Sequence, residues 1–434
     1  MGARAGAGLG TPLAVCAVLL VLLVGGSAAF GGSSSTAPRR SSEPALRVDP
    51  VPVIARRVEQ VRRLRFREVP RPVNVSGDQA RREGLADLDR SYPAAQRRAD
   101  EELYKLLGLL RPDDDLRRIA AAVYEGQVAG YYDPRTGRLR VVRGGGAENP
   151  VMEETTLAHE LNHALEDQRF PLRLDDLGGS GDGALAYTAM VEGTATAVMD
   201  EYQRRFFKPS EALGGAAAAA FAAPSTADLP PFITAQLLFP YLGGQAWVNR
   251  LYATGSDSWR LIDLAERTRP PVSTEQVMHP EKWLAVEQPA RVRVRGVSRV
   301  LGRGWKRVVG ETFGEWQTRE WLRGGGGGGA SAAAEGWGGD RVELWQPRRE
   351  VSCPAPCVER DALVMRWRWD TTLDAAEFRR ALDGALVAGM GARPAGSSEW
   401  RLRGAAVAAG ASRRTVTLAF APTARLARAL SAGR

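Results

Sequence analysis

Histidine and cysteine are scarce in this chain of 434 residues, which contains three of each. No G-x-S-x-G motif occurs, so the strained serine turn of the α/β-hydrolases is not predicted. The glycine triplet at residues 144–146 lacks the Lys and the Ser or Thr of a phosphate-binding loop, and it is interpreted as a plain connection. Neither serine-nucleophile chemistry nor phosphate-loop chemistry is therefore indicated.

Acidic residues are outnumbered by basic ones, 50 to 59, which gives a formal charge of +9 and an isoelectric point near 9.8. Arginine carries almost all of the positive charge. We interpret it as a solvated cationic surface, and association with an anionic cell envelope is the alternative. Because no basic run is interleaved with aromatic residues and no nucleic-acid-binding motif occurs, no nucleic-acid partner is predicted.

The N-terminal segment has no acidic residue before Glu43. An unbroken apolar stretch runs from Leu13 to Val24, and small residues follow it up to Ala29. Residues 1–29 are therefore predicted to be a signal peptide or an N-terminal anchor, although the apolar stretch is shorter than the roughly 20 residues of a spanning helix. Residues 30–46 are rich in Ser, Pro and Gly and are predicted to be a linker. The protein is expected to be exported, either secreted or tethered to the outer face of the membrane.

Two cysteines lie outside this leader. Cys353 and Cys357 bracket Pro354-Ala-Pro356 between two apolar runs, so a disulfide at the tip of a hairpin is predicted. Such a bond suits an oxidising compartment, in agreement with export. No histidine lies within 70 residues of the pair, which argues against a metal site there.

The apolar pattern divides the rest of the chain into helices, strands and turns. Helical spacing predicts helices over residues 53–66, 78–110 with a break near Pro93, 115–127, 153–168, 182–205, 232–253 and 258–267. Residues 70–75 are predicted as an edge strand. Two β-rich runs within residues 128–142 flank Asp133-Pro-Arg-Thr-Gly137, whose residue types favour a hairpin turn.

The sequence changes in character after Leu284, where strand-like runs, a glycine run at 324–329 and the cysteine hairpin follow. The string GWGGDR at residues 336–341 is interpreted as a turn. Hydrophobic residues make up 44% and charged residues 25%, as is usual for globular proteins, so two folded units are expected. We predict an α+β protein with a larger unit at residues 47–290 and a smaller α+β unit at residues 291–434.

The string Ala158-His-Glu-Leu-Asn-His163 contains two of the three histidines. Residues four apart share a helix face, so His159 and His163 are expected to point the same way. Two imidazole nitrogens in that arrangement can both bind one zinc ion at about 2.0–2.1 Å. Glu160 lies one step round the helix, where it can take a proton from a zinc-activated water. Two ordinary histidines on a helix are the alternative.

A third protein ligand is expected, because catalytic zinc sites commonly have three. Arg169 stands where the extended metzincin pattern has its third histidine, which excludes that class. Glu192 is the only acid between Asp182 and Asp200, and helical spacing places it among apolar and small residues. An unpaired carboxylate would be costly there, so a metal is the expected partner. The alternative is a solvated helix residue.

Four strings in a fixed order carry a family resemblance. EGQVAGYYDPRTGRLRVV, HELNHALEDQRF, MVEGTATAV and PPVSTEQVMHPEKW resemble a family of bacterial and archaeal gluzincin-type zinc metallopeptidases. Its members have HELxHALxDQ and then an EGxA helix, with a QVAGYYDP hairpin ahead of both. The resemblance extends from about Val53 to Gln288, and more loosely from Gly336 to Trp369.

This resemblance implies a zincin-like metallopeptidase fold, helical with a small sheet and hairpin above the active helix. It implies one Zn²⁺ per chain, with His159, His163 and Glu192 as ligands and Glu160 as the general base.

Two further features follow from the resemblance. Gluzincins pair an extended substrate with an edge strand above the active helix, which here would be Val128–Tyr132 or Leu139–Val142. Thermolysin-like enzymes have an Asp four residues beyond the third ligand, where this chain has Thr196. Asp167 or Asp200 is a candidate substitute as partner of a metal-bound histidine.

The remaining histidine, His279, is predicted to be catalytic. Zinc peptidases need a donor that stabilises the oxyanion, and Pro280 would hold His279 in extended backbone. A structural histidine that caps a turn is the alternative, and Tyr131, Tyr132 and Tyr187 are rival donors.

The predicted function is zinc-dependent hydrolysis of peptide bonds in a protein or peptide substrate. Glu160 would deprotonate the attacking water and pass the proton to the leaving amine. The alternatives are a non-catalytic zinc-binding envelope protein and a secreted binding protein whose function resides in the C-terminal unit.

Overall fold

The computed structural model of the chain describes residues 48–126, 130–142, 149–172, 181–212, 229–326, 328–349, 351 and 353–433. The predicted leader at residues 1–29 and the linker at 30–46 lie outside the described residues. The protein belongs to the α+β class, as predicted. Within the described part of the chain, no helix combines the length and the apolar character that crossing a bilayer requires.

Helices dominate the N-terminal part. All lie where apolar spacing predicts a helix, except the last two, which are short and are not predicted. They are α1 (Val51–Arg62), α2 (Gly77–Ser91), α3 (Ala94–Leu106), α4 (Leu116–Gly126), α5 (Pro150–Arg169), α6 (Gly181–Phe206), α7 (Pro231–Thr254), α8 (Arg260–Thr268), α9 (Thr274–Met278) and α10 (Pro280–Leu284). The start of α5 is fixed by Asn149, whose side-chain oxygen accepts hydrogen bonds from the N–H groups of Val151 and Met152 at 2.9 and 3.4 Å. Pro150 at the first helical position needs no such partner.

A three-stranded sheet lies among these helices. It contains β1 (Pro72–Val75), β2 (Gly130–Asp133) and β3 (Arg138–Val142) in the order β1-β3-β2. β1 runs parallel to β3, and β2 pairs with β3 as the predicted hairpin. Gly137 has a φ of 64°, a left-handed conformation that glycine adopts without strain. Because β3 is central, β1 and β2 are the edges of this sheet, and within the described residues no further strand pairs with β2.

A second, seven-stranded sheet follows in the C-terminal part. Its elements are α11 (Val297–Leu301), β4 (Trp305–Glu311), α12 (Gly314–Arg323), α13 (Ala330–Ala334), β5 (Trp337–Pro347), β6 (Ala362–Trp369), α14 (Thr372–Asp383), β7 (Arg393–Gly396), β8 (Glu399–Leu402), β9 (Ala405–Ser412), β10 (Thr415–Ala421) and α15 (Ala424–Ser431). The strand order is β4-β5-β6-β10-β9-β8-β7, and every pair is antiparallel.

Two sequence predictions for this part have different outcomes. Cys353 and Cys357 form the predicted disulfide between β5 and β6, with their Cα atoms 5.7 Å apart. The turn predicted at residues 336–341 is wrong beyond Gly336, because β5 begins at Trp337. The carboxylate of Asp340 accepts hydrogen bonds from the N–H groups of Phe313 and Gly314 at 2.7 and 2.8 Å, so this string joins two elements of the core.

The two parts of the chain share a hydrophobic core. The ring of Trp316 on α12 lies 5.9 and 5.2 Å from the rings of Phe232 and Phe239 on α7. The backbone N–H of Trp316 also donates a hydrogen bond to the hydroxyl of Thr274 at 3.1 Å. The C-terminal part therefore supports the helices of the N-terminal part directly, and the domain boundary near residue 290 stays a prediction.

Candidate metal centre

Helices α5 and α6 pack against each other and bring the predicted ligands together. His159 and His163 lie one turn apart on α5, and Glu192 projects from α6. Their exposed fractions are 1, 3 and 4%, so all three side chains are buried. A buried carboxylate needs a compensating partner, and the ion pairs of Glu192 in the described part of the chain are with these histidines alone.

The distances between the three donor atoms suit one small metal ion. The Nε2 atoms of His159 and His163 are 3.0 Å apart, and they lie 3.2 and 3.4 Å from Oε2 of Glu192. Ligands at about 2.0–2.1 Å from a tetrahedral zinc ion are separated from one another by about 3.3 Å. The three atoms therefore already form one face of a tetrahedron of that size, and the residues fit the ion.

The protonation states of the three side chains also suit metal binding. Burial alone would raise the pKa of Glu192, but the two histidines lower it to about 2, so the carboxylate is ionised at neutral pH. Burial lowers the pKa of His159, which favours the neutral imidazole that a metal ion binds. Against the effect of burial, Glu192 raises the pKa of His163 to about 9. A metal ion that binds here would displace the proton of His163.

Glu160 lies beside the three donors, beneath strand β2. Its Oε2 accepts a hydrogen bond from the Tyr132 N–H at 2.7 Å. Burial raises the pKa of Glu160 to about 8. A Cβ atom at Gly130 would lie 3.0 Å from the carbonyl oxygen of Arg140 on β3 and 3.9 Å from Cγ of Glu160, so the tight contact is within the hairpin and the contact with α5 is an ordinary one. The backbone of β2 thus contacts the carboxylate that the sequence identifies as the base.

The two acids predicted as partners of a metal-bound histidine have other hydrogen-bond partners. Asp167 accepts hydrogen bonds from the hydroxyl of Tyr132 and the N–H of Leu172, both at 2.9 Å. Asp200 accepts one from the side-chain amide of Gln245 at 2.6 Å. In the described part of the chain, the Nδ1 atoms of His159 and His163 are buried without a hydrogen-bond partner. Neither acid thus orients a ligand histidine through a direct bond.

A buried arginine fixes α5 instead. Arg62 on α1 is 0% exposed, and its guanidinium contacts Glu166 on α5 at 2.7 Å. It also contacts Asp263 and Glu266 on α8 at 2.6 and 2.7 Å. Sequence analysis missed this residue, although it follows Val58 by four positions and so falls on the apolar face of α1. The network holds α1, α5 and α8 together within one turn of His163.

The other predicted catalytic residue, His279, lies between α9 and α10. Its Nε2 contacts a carboxylate oxygen of the buried Glu315 at 2.8 Å. The structure does not place it among the three converging donors, and its role as oxyanion donor stays a prediction.

The rival tyrosines also have partners. The hydroxyl of Tyr131 donates to Glu83 at 2.5 Å, and that of Tyr132 donates to Asp167. Tyr187 is buried on α6. Tyr241 on α7 also lies near the ligands, and its ring centre is 6.2 Å from that of His159. Sequence analysis missed Tyr241, although Pro240 before it and the Gly243-Gly244 pair after it mark an unusual point in a helix.

Helix α7 approaches the site because its backbone touches that of α6. A Cβ atom at Gly193 would lie 2.2 Å from the carbonyl carbon of Gly244, and one at Gly244 would lie 1.9 Å from the carbonyl oxygen of Ala189. Only glycine fits at both positions. The crossing is adjacent in sequence to Glu192, so it determines where this carboxylate lies.

Comparison with known proteins gives two matches. Residues 299–431 match a family described as a domain of unknown function (DUF8575). A crystal structure from Chloroflexus aurantiacus, of a proposed hydrolase with a novel fold, is similar with a TM-score of 0.36 and 17% sequence identity. That match covers 54% of this chain and 87% of the other. No curated protein matches.

Proposed function

We propose that the protein is a zinc-dependent peptidase of the gluzincin type, with residues 47–290 as a zincin-like domain. The observation that carries the proposal is the convergence of three buried donor atoms, 3.0–3.4 Å apart, beside a second buried acid, Glu160. His159, His163 and Glu192 would hold the ion, and Glu160 is not one of its ligands. This is the donor set of a catalytic zinc site with one position left for water.

In the proposed hydrolysis, the metal ion and the side chains of the protein have different roles. A bound zinc ion supplies Lewis acidity that activates water and polarises a carbonyl. Glu160 accepts the proton of the attacking water and donates it to the departing amine. The N–H of Tyr132 holds one oxygen of that carboxylate in place.

Strand β2 is suited to bind the substrate. Within the described residues, no strand pairs with β2 on the side away from β3, and the Tyr132 N–H of β2 donates to Glu160. An extended peptide would pair with the remaining backbone groups of this edge as an additional strand beside the base. Main-chain pairing selects an extended protein or peptide rather than a particular side chain. We therefore propose unfolded proteins or peptides as substrates, cleaved outside the cytoplasm, since the leader and the disulfide both favour export.

Removal of the metal tests the proposal. We expect the purified protein to hydrolyse unfolded casein, and a zinc chelator to reduce the rate to background. One equivalent of Zn²⁺ should then restore it. The midpoint of thermal unfolding should fall on chelation, because a ligand bound only to the folded state stabilises it. Undiminished hydrolysis by protein shown by elemental analysis to be free of metal would contradict the proposal.

A further inference from the structure

Strand β4 forms one edge of the seven-stranded sheet, opposite the edge formed by β7. It pairs with β5 on one side, with a bulge between Arg307 and Val309. On its other side, no backbone hydrogen bond joins it to another strand within the described residues. The N–H and C=O groups of an edge strand can pair with an added chain.

A groove lies along this open edge. Helix α3 forms the other wall of the groove. The groove has a volume of about 950 Å³, at the upper end of the range for ligand pockets. Gln346–Arg349, at the end of the partner strand β5 and just beyond it, also line the groove. The groove therefore has the length of a strand and a backbone edge as its wall.

In the groove, the basic side chains are exposed and the acidic side chains are buried. Arg98, Lys306, Arg348 and Arg349 are exposed around it, and none has an ion pair with an acid in the described part of the chain. The acids of the groove, by contrast, are buried beneath them. Burial raises the pKa of Asp100 and Glu102 to about 7, which reduces their negative charge near neutral pH. A ligand that enters the groove thus meets four cationic side chains that have no acidic partner among the described residues.

We propose that this groove, bounded by β4 and α3, binds an extended acidic segment of a partner protein as an eighth strand of the sheet. Main-chain pairing with β4 supplies the geometry of binding. The four cations select acidic side chains and speed the encounter. The site is distinct from the metal centre on α5 and α6, so it needs neither zinc nor Glu160.

Peptide binding to the purified protein tests the proposal. The probe is a fluorescent peptide of alternating Val and Glu, and binding is followed by fluorescence anisotropy. We expect saturable binding, little or no binding of the matching Val-Lys peptide, and a large loss when alternate amides of the acidic peptide are N-methylated. The triple variant Lys306→Ala/Arg348→Ala/Arg349→Ala should bind about tenfold more weakly or worse, from the loss of three exposed charge pairs.

A matched variant removes the same charge elsewhere on the C-terminal part. Arg401→Ala/Arg413→Ala/Arg425→Ala replaces three exposed arginines away from the groove and should bind the acidic peptide like the wild type. Equal binding of the N-methylated peptide or of single-stranded DNA would show attraction by charge alone and overturn the proposal. Absence of binding by the wild type would also overturn the proposal. The exposed cations would then be interpreted as charges that prevent edge-to-edge aggregation of β4.

Discussion

Replacement of Glu160 by Gln should lower the rate of peptide hydrolysis by about 10²–10⁴-fold while zinc stays bound, since proton transfer by a positioned side chain contributes that much. The side-chain amide has the size of the carboxylate, and its oxygen can still accept the hydrogen bond of the Tyr132 N–H, which is 2.7 Å from Oε2 in the wild type. The fold and the three ligands are therefore preserved, and only the proton acceptor is lost. Initial rates on unfolded casein measure the loss of activity, and elemental analysis measures whether zinc is retained.

Glu153→Gln is the matched control, because it changes the same residue type on the same helix away from the donors. It should keep wild-type activity. Full activity of Glu160→Gln would exclude Glu160 as the base. Absence of hydrolysis by the wild type, with zinc present, would instead favour a non-catalytic zinc protein.

The second large effect is expected at the crossing of α6 and α7. Gly193→Ala adds a methyl group that would lie 2.2 Å from the carbonyl carbon of Gly244. Alanine improves helix propensity by about 1 kcal/mol, but overpacking of a close contact costs about 1–3 kcal/mol or more, and backbone atoms cannot move aside as a flexible side chain can. We expect the free energy of unfolding to fall by about 2 kcal/mol or more, and zinc to bind more weakly because Glu192 is displaced.

Urea unfolding measures the first effect, and zinc titration measures the second. Gly77→Ala provides the control, since no atom lies within 4 Å of a Cβ built at that position near the start of α2. It should be neutral or slightly stabilising. If Gly193→Ala were as stable as Gly77→Ala and bound zinc normally, the close crossing would have no part in placing the ligand.

Local patterns in the sequence were enough to predict much of the site. The four-residue spacing of His159 and His163 needs only a helix, and α5 spans both residues. Glu192 could be selected because it is the only acid between Asp182 and Asp200. The β2–β3 hairpin and the disulfide follow from residues close together in the chain.

Features that join distant parts of the chain could not be predicted in the same way. Nothing in the sequence indicates that Gly193 and Gly244 meet, because the two positions lie far apart in the chain on different helices. Tyr241 reaches the neighbourhood of His159 only through that crossing. The three acids around Arg62 come from two helices far apart in sequence, and no local pattern pairs them. The order of the seven strands likewise depends on contacts across the whole C-terminal part.

Zinc content tests the metal centre most directly. The purified wild type should contain about one zinc ion per chain, the number that a single set of three protein ligands can hold. Glu192→Ala should lose most of it, whereas Glu201→Ala, which removes a partly exposed acid from the same helix, should keep it. Equal zinc content in Glu192→Ala and wild type, or no zinc in either, would contradict the account.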